Sequence, residues 1–414
     1  MSSNLPIIIV GAGIVGLTLA QALKKSKIPF LIFERDTSLS QSSGGWAITV
    51  HWALPAFQSC LLTHLFERLK DIQVDPQQGI EDTGRFLFLD LLTAEPKFII
   101  PPSKRLRIDR RKLRALLSEG VDIQWRKNFI SFAEMTNSIV AQFEDGTRVE
   151  GSLLIGADGS SSRTRRLMYA SSPDPSMGLL NQLPVRFMGI TLKMSPEQVE
   201  PLRDIDPLLF QGSHPNTGVY LWYSILSTPE VNGSAGGNEF YEAQLMLSWL
   251  YRSAEDEVPS THFERLTKMK SMAQDFEPRL RNAINSIPEG SEVLEIRLQD
   301  WPPQAWNNCD GRITLVGDAA HAMTMFRGEA FNHGITDAAE LSQRIIEAHT
   351  GAYDAESFKN AVQVYETEMR ERTYSAVLLS RQACLDAHDL RNLGPESPLV
   401  SKRARVLEPG RSAS

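Results

Sequence analysis

Residues 5–10 form a short apolar run rich in β-branched side chains, which reads as a buried strand. Over residues 14–25 the apolar positions move to helical spacing, at Leu17, Ala20 and Leu23. Residues 29–33 return to a continuous apolar run that ends in Glu34. Strand, helix and strand in this order predict a βαβ unit with a parallel sheet. Further on, residues 107–117 are helical in period, with Asp109 as N-cap and Leu113, Leu116 and Leu117 on one face. Residues 123–125, 138–143 and 148–154 read as strands, the last two joined by the turn Glu144-Asp145-Gly146-Thr147. Strand patterns also dominate at 186–192, 208–211, 219–226 and 244–250, with a Gly, Ser and Asn-rich loop at 228–238. Residues 337–348 and 355–387 are helical by pattern, and 38–45 is a Ser/Gly-rich loop.

The turn inside the first βαβ unit carries Gly11-Ala12-Gly13-Ile14-Val15-Gly16. Gly11 permits a tight turn, Gly13 lets backbone approach a pyrophosphate, and Gly16 lets the helix pack closely on the strand. The phosphates then face free N–H groups at a helix N-terminus. Glu34, at the carboxyl end of the second strand, is placed to accept hydrogen bonds from a ribose hydroxyl and to repel a 2′-phosphate. The site therefore suits FAD or NAD rather than NADP. A second signal, Gly317-Asp318-Ala319-Ala320-His321, follows a strand at 312–316, and Phe331-Asn332-His333 opens the next helix. An acid at a strand end can hold ribityl hydroxyls, and N–H groups at a helix start can stabilise negative charge on a reduced flavin ring. Together the two signals select FAD.

At 414 residues, with 42% hydrophobic and 22% charged content, the chain has the composition of a globular protein with a sizeable core. A net charge of −7 argues against nucleic acid as a partner. No apolar run approaches the roughly 20 residues of a membrane span, and residues 1–4 carry no basic signal-peptide region. Cys60, Cys309 and Cys384 are sparse and lack CxxC spacing, as expected of reduced thiols in a cytoplasmic protein. His321 and His333 have no partner at zinc-like spacing, so no metal is expected and both read first as structural. The tail beyond Ser401, with Lys402, Arg403, Arg405 and Arg411, reads as a solvated end.

A third segment, Gly156-Ala157-Asp158-Gly159-Ser160, follows a strand at 152–155. With a GxGxxG, a central DG and a downstream GD in order, the chain resembles the class A flavoprotein monooxygenases, relatives of 4-hydroxybenzoate hydroxylase. Residues 45–55 and Phe326-Arg327-Gly328-Glu329 make it most similar to the fungal members that act in secondary metabolism. The similarity runs from Ile7 to about His388. It implies an α/β protein: a Rossmann-type FAD-binding domain, an inserted mostly antiparallel substrate-domain sheet, and C-terminal helices. Residues 1–75, 103–180 and 290–345 would form the FAD-binding part, 76–102 and 181–289 the substrate part, 346–395 a helical region and 396–414 a polar tail.

The resemblance further implies that Gly11, Gly13, Gly16, Glu34 and Arg35 hold the adenosine and pyrophosphate end of FAD, and that Ala47 lies along its middle. Arg110 would contact FAD, Asp158 would lie near the pyrophosphate and relate to NADPH use, and Asp318 would bind the ribityl chain. Phe331 and Asn332 would present backbone to the flavin ring. Met325 and Ala330 depart from the family's proline and glycine at positions near that ring.

NADPH would reduce the flavin, and O2 would supply the atom passed to a small organic substrate. A phenolic substrate needs a base to raise its electron density or a cation to hold it as phenolate. Arg186 and Tyr220 or Tyr223, on the substrate sheet, resemble the arginine and tyrosine proposed for this role in related hydroxylases. Trp46, Trp52 and Phe210 could line an apolar pocket or belong to the core. Hydroxylation of an aromatic polyketide, epoxidation of a polyene and oxidation of an alkaloid or terpenoid all fit, and the sequence does not choose among them. Two alternatives stand beside monooxygenation: a flavin-binding protein without turnover, and a flavin oxidase or dehydrogenase on the same fold. The oligomeric state is not readable.

Overall fold

The first apolar run forms the strand Ile7–Val10, all four residues buried, at the centre of a five-stranded sheet. These coordinates are a computed structural model that describes residues 5–41, 46–350 and 355–402. Phe30–Phe33 and Leu153–Gly156 flank the central strand, with Ile123–Gln124 and Ile313–Leu315 at the edges, and every pairing is parallel. Val10 pairs with both Phe33 and Gly156, and Gly156 pairs with Leu315. The three motifs therefore leave the sheet at one edge, outside the carboxyl ends of parallel strands, where such sheets bind ligands. Helix Ile14–Lys25 packs against Arg110–Ser118 and Ala330–Thr350, which in turn packs against the long helix Ala355–Asp386.

Two predicted elements divide. The helix expected from residue 107 starts only at Arg110, because Asp109 caps it: the carboxylate accepts from the N–H groups of Arg111 and Lys112 at 2.7 and 3.0 Å. Residues before the cap are extended, as Leu106–Asp109, and pair antiparallel with Ala47–Val50. The strand expected at 148–154 breaks at Ser152. Arg148–Gly151 joins an antiparallel sheet with Ile139–Phe143 and Phe129–Glu134, and Leu153–Gly156 joins the parallel sheet. Residues 42–45 of the expected loop, and Arg403, Arg405 and Arg411 of the tail, lie outside the described residues.

The second large sheet has seven strands in the order Leu294–Glu295, Val185–Met194, Tyr241–Leu250, Tyr220–Ser227, Leu209–Ser213, Phe86–Asp90 and Pro96–Ile100. All pairings are antiparallel except Leu209–Ser213 with Phe86–Asp90. Leu294–Glu295 falls in the segment expected in the FAD-binding part, yet it extends this sheet by pairing with Met188 and Gly189. Strand alternation assigns the two faces. Leu221, Tyr223, Leu245, Leu247 and Met188 pack with Leu266, Met269, Leu280 and Ile284 of the helices His262–Met272 and Pro278–Asn285. Phe187, Tyr220 and Met246 face the other way, toward Phe326 and the long C-terminal helix.

Candidate active site

Close packing at the first turn depends on a missing side chain. A Cβ at Gly16 would lie 2.1 Å from the Gly11 carbonyl oxygen, so helix and strand could not approach with any other residue there. A Cβ at Gly13 would meet nothing within 4 Å, so open space lies over the helix N-terminus. Glu34, buried at the end of the second strand, accepts from the Ala12 N–H at 2.8 Å and the Asp36 N–H at 3.1 Å, and it pairs with Arg114 at 3.3 Å. These bonds fix the carboxylate and leave acceptor capacity for a ribose.

A polar cleft of about 280 Å³ borders Gly13, Glu34, Arg35, Asp158 and Arg110. It shares Gly13, Arg110, Ala157 and Gly159 with a larger cavity of about 650 Å³ that runs beneath the seven-stranded sheet. Asp318 lines that cavity and is accessible there. Burial raises its carboxyl above the usual carboxylate range, opposed first by His321 and then by the side chains of Arg110 and Arg165. The part of the lining that the seven-stranded sheet supplies is apolar and aromatic: Phe86, Phe187, Leu209, Tyr220, Trp222 and Met246. A polar channel thus opens into an apolar chamber whose lining carries an acid.

A family described as "FAD binding domain" matches residues 4–211 and 242–377. The chain is 50% identical to the FAD-dependent monooxygenase dbaB of Emericella nidulans, over 100% of this chain and 96% of that protein. It is 41% identical to a probable FAD-dependent monooxygenase of Arthroderma benhamiae, over 96% of this chain and 95% of that one. The chain is an FAD-dependent monooxygenase of this family. Its fold is also that of a solved Photorhabdus luminescens protein described as a "putative FAD containing monooxygenase", with a TM-score of 0.74 and 21% identity over 94% of this chain and 100% of that one.

Within this monooxygenase most of the residues named from sequence line one of the two spaces. Gly11, Gly13, Glu34, Arg35, Arg110 and Asp158 line the polar cleft, and Ala47, Asp318 and Phe331 line the chamber, as does Tyr220. Asp158 is largely committed to its own chain: it accepts from Ser162 Oγ, from the Arg163 and Thr164 N–H groups, and from Thr164 Oγ1, at 2.5–3.0 Å. It therefore closes the start of helix Arg163–Tyr169 beside the cleft. Asn332 is buried, and its side chain binds the His51 N–H and the Thr49 carbonyl, tying the flavin-side helix to the strand Ala47–Val50.

Arg186 does not join the site. It neighbours Phe187 in an extended strand, and since Phe187 faces the chamber, Arg186 faces away. There it forms a two-pronged pair with Glu257 at 2.7 and 2.8 Å and stacks over Tyr251. The same alternation separates the two tyrosines. Tyr220 borders the chamber and donates to Gln211 at 2.8 Å, whereas Tyr223 stacks on Phe210 in the opposite core. Trp46 lines the chamber, Trp52 packs edge-on to His333, and Met325 and Ala330 both border the chamber.

Sequence reasoning missed Asp337. On the buried face of helix Ala330–Thr350 its carboxylate receives the Gly317 N–H at 2.7 Å, His321 Nε2 at 2.6 Å and Arg372 at 2.8 Å. Burial would raise this carboxyl, but His321 and Arg372 outweigh it and hold it well below the usual range. Arg372 also donates to His333 Nδ1 at 3.0 Å, and burial reinforced by Arg372 lowers His333 to about 3. His333 is neutral at pH 7, with Nδ1 as acceptor because a guanidinium can only donate. The signal was an acid at a core position of an amphipathic helix, which demands a buried partner.

Proposed function

We propose that this enzyme uses NADPH and O2 to insert one oxygen atom into a small, ring-containing intermediate of fungal-type secondary metabolism. The observation that carries this reading is the apolar chamber, with Asp318 in its lining, joined to the polar cleft through Gly13, Arg110, Ala157 and Gly159. FAD, when bound, supplies electron storage and oxygen activation. The chain's own residues do the rest. The N-terminus of helix Ile14–Lys25, opened by Gly13 and closely packed through Gly16, takes the pyrophosphate; Glu34 takes the ribose, and Arg35 flanks the adenosine. Arg110 and Asp318 hold the chain between the two rings, and Asp158 positions the cleft wall through the helix it caps.

Ala47 and Phe331 bound the ring's place, and Asn332 fixes the first turn of helix Ala330–Thr350 against the strand that carries Ala47. Backbone N–H groups of that turn favour negative charge on the ring. The aromatic walls exclude water, and Tyr220, held by Gln211, offers a fixed hydroxyl to the substrate. We assign residues 1–75, 103–180 and 290–345 to cofactor binding and 76–102 and 181–289 to substrate binding, with Leu294–Glu295 reaching across. A cytoplasmic site of action is supported by three free, buried thiols; burial raises Cys60 and Cys309 to about 11, which argues against thiol chemistry. Among the described residues no helix is long and apolar enough to cross a membrane.

Labelled O2 with candidate ring substrates tests the reading. One labelled oxygen in the product per NADPH consumed is expected. Peroxide formation with no labelled product would instead assign an oxidase, and flavin that NADPH never reduces would assign a binding protein without turnover.

A further inference from the structure

Five arginines at the chamber wall differ in how their charge is balanced, and Arg297, the exposed one, is answered by solvent. Arg105 grips Asp82 through two bonds of 2.7 and 3.1 Å, and Arg327 pairs with Glu329 at 2.6 Å. Arg110, half-buried and without an ion pair among the described residues, is lowered by burial and by Arg114, opposed by Asp318 and Asp36. Arg107 is different in being buried. It is 5% exposed, borders the chamber, and forms no ion pair among the described residues. Nη1 donates to Thr49 Oγ1 at 2.9 Å and Nη2 to Ser224 Oγ at 2.7 Å, while Nε has no partner. The guanidinium lies 5.8 Å from the centre of the Trp222 ring.

Burial, reinforced by Arg105, lowers Arg107 to about 9, so it remains a cation at neutral pH. A buried charge answered only by neutral hydroxyls is unfavourable unless something else balances it. Arg165, also buried without a carboxylate in contact, shows the structural alternative. It donates to three backbone carbonyls, of Gly178, Ala319 and Ser160, and stacks over Trp301. Arg107 has no such carbonyl set, and what it faces is the space left for substrate.

We propose that Arg107 anchors an anionic oxygen of the substrate, so that this monooxygenase selects ring compounds carrying an ionised oxygen, a phenolate or a ring carboxylate, over neutral polyenes and ethers. The inference rests on the reading of the chamber as a substrate site. Phe86 and Trp222, edge-on to one another at 5.8 Å beside Arg107, suit a flat ring next to the anion. A phenol entering the site gives its proton to solvent, and the retained negative charge makes its ring a better electron donor. This moves the cationic role expected of Arg186 to a residue on the strand just before Arg110.

Binding without turnover tests this, using FAD-loaded enzyme and spectroscopic titration with 4-nitrophenol, 4-nitrobenzoate and the neutral ether 4-nitroanisole. Wild type should bind at least one ionised probe tenfold or more tighter than the ether, and 4-nitrophenol should ionise at lower pH when bound. The phenol and benzoate arms separate the two sources of the anion. Arg107→Gln should remove the preference while keeping affinity for the ether within about twofold, and Arg107→Lys should restore part of it. Equal weakening toward all three probes would identify a strut between Thr49 and Ser224 and overturn the proposal, as would a wild type with no preference. Should Arg107→Gln fail to retain FAD, wild type and Arg107→Lys still decide through their preference. Because no oxygenation is measured, failure of the monooxygenase reading remains separately visible in the labelling experiment.

Discussion

Around the polar cleft and the helix behind it, three carboxylates arrive already answered, while Asp318 is left to the cavity. Glu34 is met by the Ala12 N–H and Arg114, Asp158 by four donors, Asp337 by Gly317, His321 and Arg372. Across the same cavity, Arg107 donates to two hydroxyls and forms no ion pair among the described residues, and Tyr220 donates to the Gln211 amide. The difference follows from what each side binds. FAD binds through a fixed pattern of phosphates and hydroxyls, so its site is rigidly pre-organised. A chamber that accepts and releases substrate keeps a few polar groups incompletely satisfied, and those groups set its selectivity.

The sharpest way to break this contrast is at Asp337. Asp337→Ala leaves Arg372 and His321 facing a lost partner and the Gly317 N–H without an acceptor. Breaking a buried pair of this kind costs about 3–5 kcal/mol. Asp300→Ala also removes a buried acid, but its partner Arg381 is one-third exposed and can rehydrate. The loss there should be about 1–3 kcal/mol. Urea unfolding of both variants checks the order, and equal losses would show that exposure of the partner does not set the cost as argued.

Next in size is cofactor retention. Asp318→Ala removes a carboxylate from the chamber lining, and a charge-assisted bond to a ribityl hydroxyl is worth roughly 1.5–3 kcal/mol. FAD affinity should fall about ten- to a hundredfold. Asp310→Ala, in the exposed turn where the acid pairs with Lys359 at 3.2 Å, should change it little. Dialysis followed by flavin absorbance compares them, and equal retention would mean that the Gly317-Asp318 motif does not hold the ribityl chain.

Two buried histidines, one on each side, sharpen the comparison through pH. Burial lowers His333 to about 3 and His388 to about 4. His388 gives its Nδ1 proton to the Cys384 carbonyl and accepts from Ser248 at Nε2, both at 2.8 Å. Folded-state values lie below the ordinary value of about 6.5, so the unfolded chain binds more protons as pH falls below it. Stability is intact above that pH and declines toward the folded values, by about 2 kcal/mol per histidine at pH 5. His388→Gln should remove roughly half of the slope between pH 7 and 5 in urea midpoints. A slope left unchanged would place the acid sensitivity elsewhere.

How much the sequence disclosed follows the same division. Gly11, Gly13, Gly16 and Glu34 lie within one βαβ unit, so local spacing suffices to place them, and Gly317-Asp318 follows its strand directly. Chamber residues come from strands far apart in the chain, and there the face matters as much as the identity. Tyr220 and Tyr223 differ by an odd number of positions, so only one can face the chamber, and alternation alone does not say which. Arg107 was hidden by its neighbour Asp109. The cap signal drew residues 107–109 into a helix, whereas a strand carries Arg107 into the chamber wall. Asp337 depends on Arg372, a partner on another helix, and no local spacing reveals that contact.

The smallest expected effect is the most direct test of the face assignment. Arg186→Gln breaks the pair with Glu257, but Glu257 is about half exposed, and surface pairs of this kind contribute about 0–1 kcal/mol. Because Arg186 points away from the chamber, kcat and KM for substrate-dependent NADPH oxidation should stay within about twofold of wild type. Phe187→Ala, one residue along and on the chamber face, should raise KM by about tenfold through lost apolar contact. A large kcat loss in Arg186→Gln, with Phe187→Ala unaffected, would mean that strand Val185–Met194 presents the opposite face to the substrate. That outcome would return the anion-binding role to Arg186.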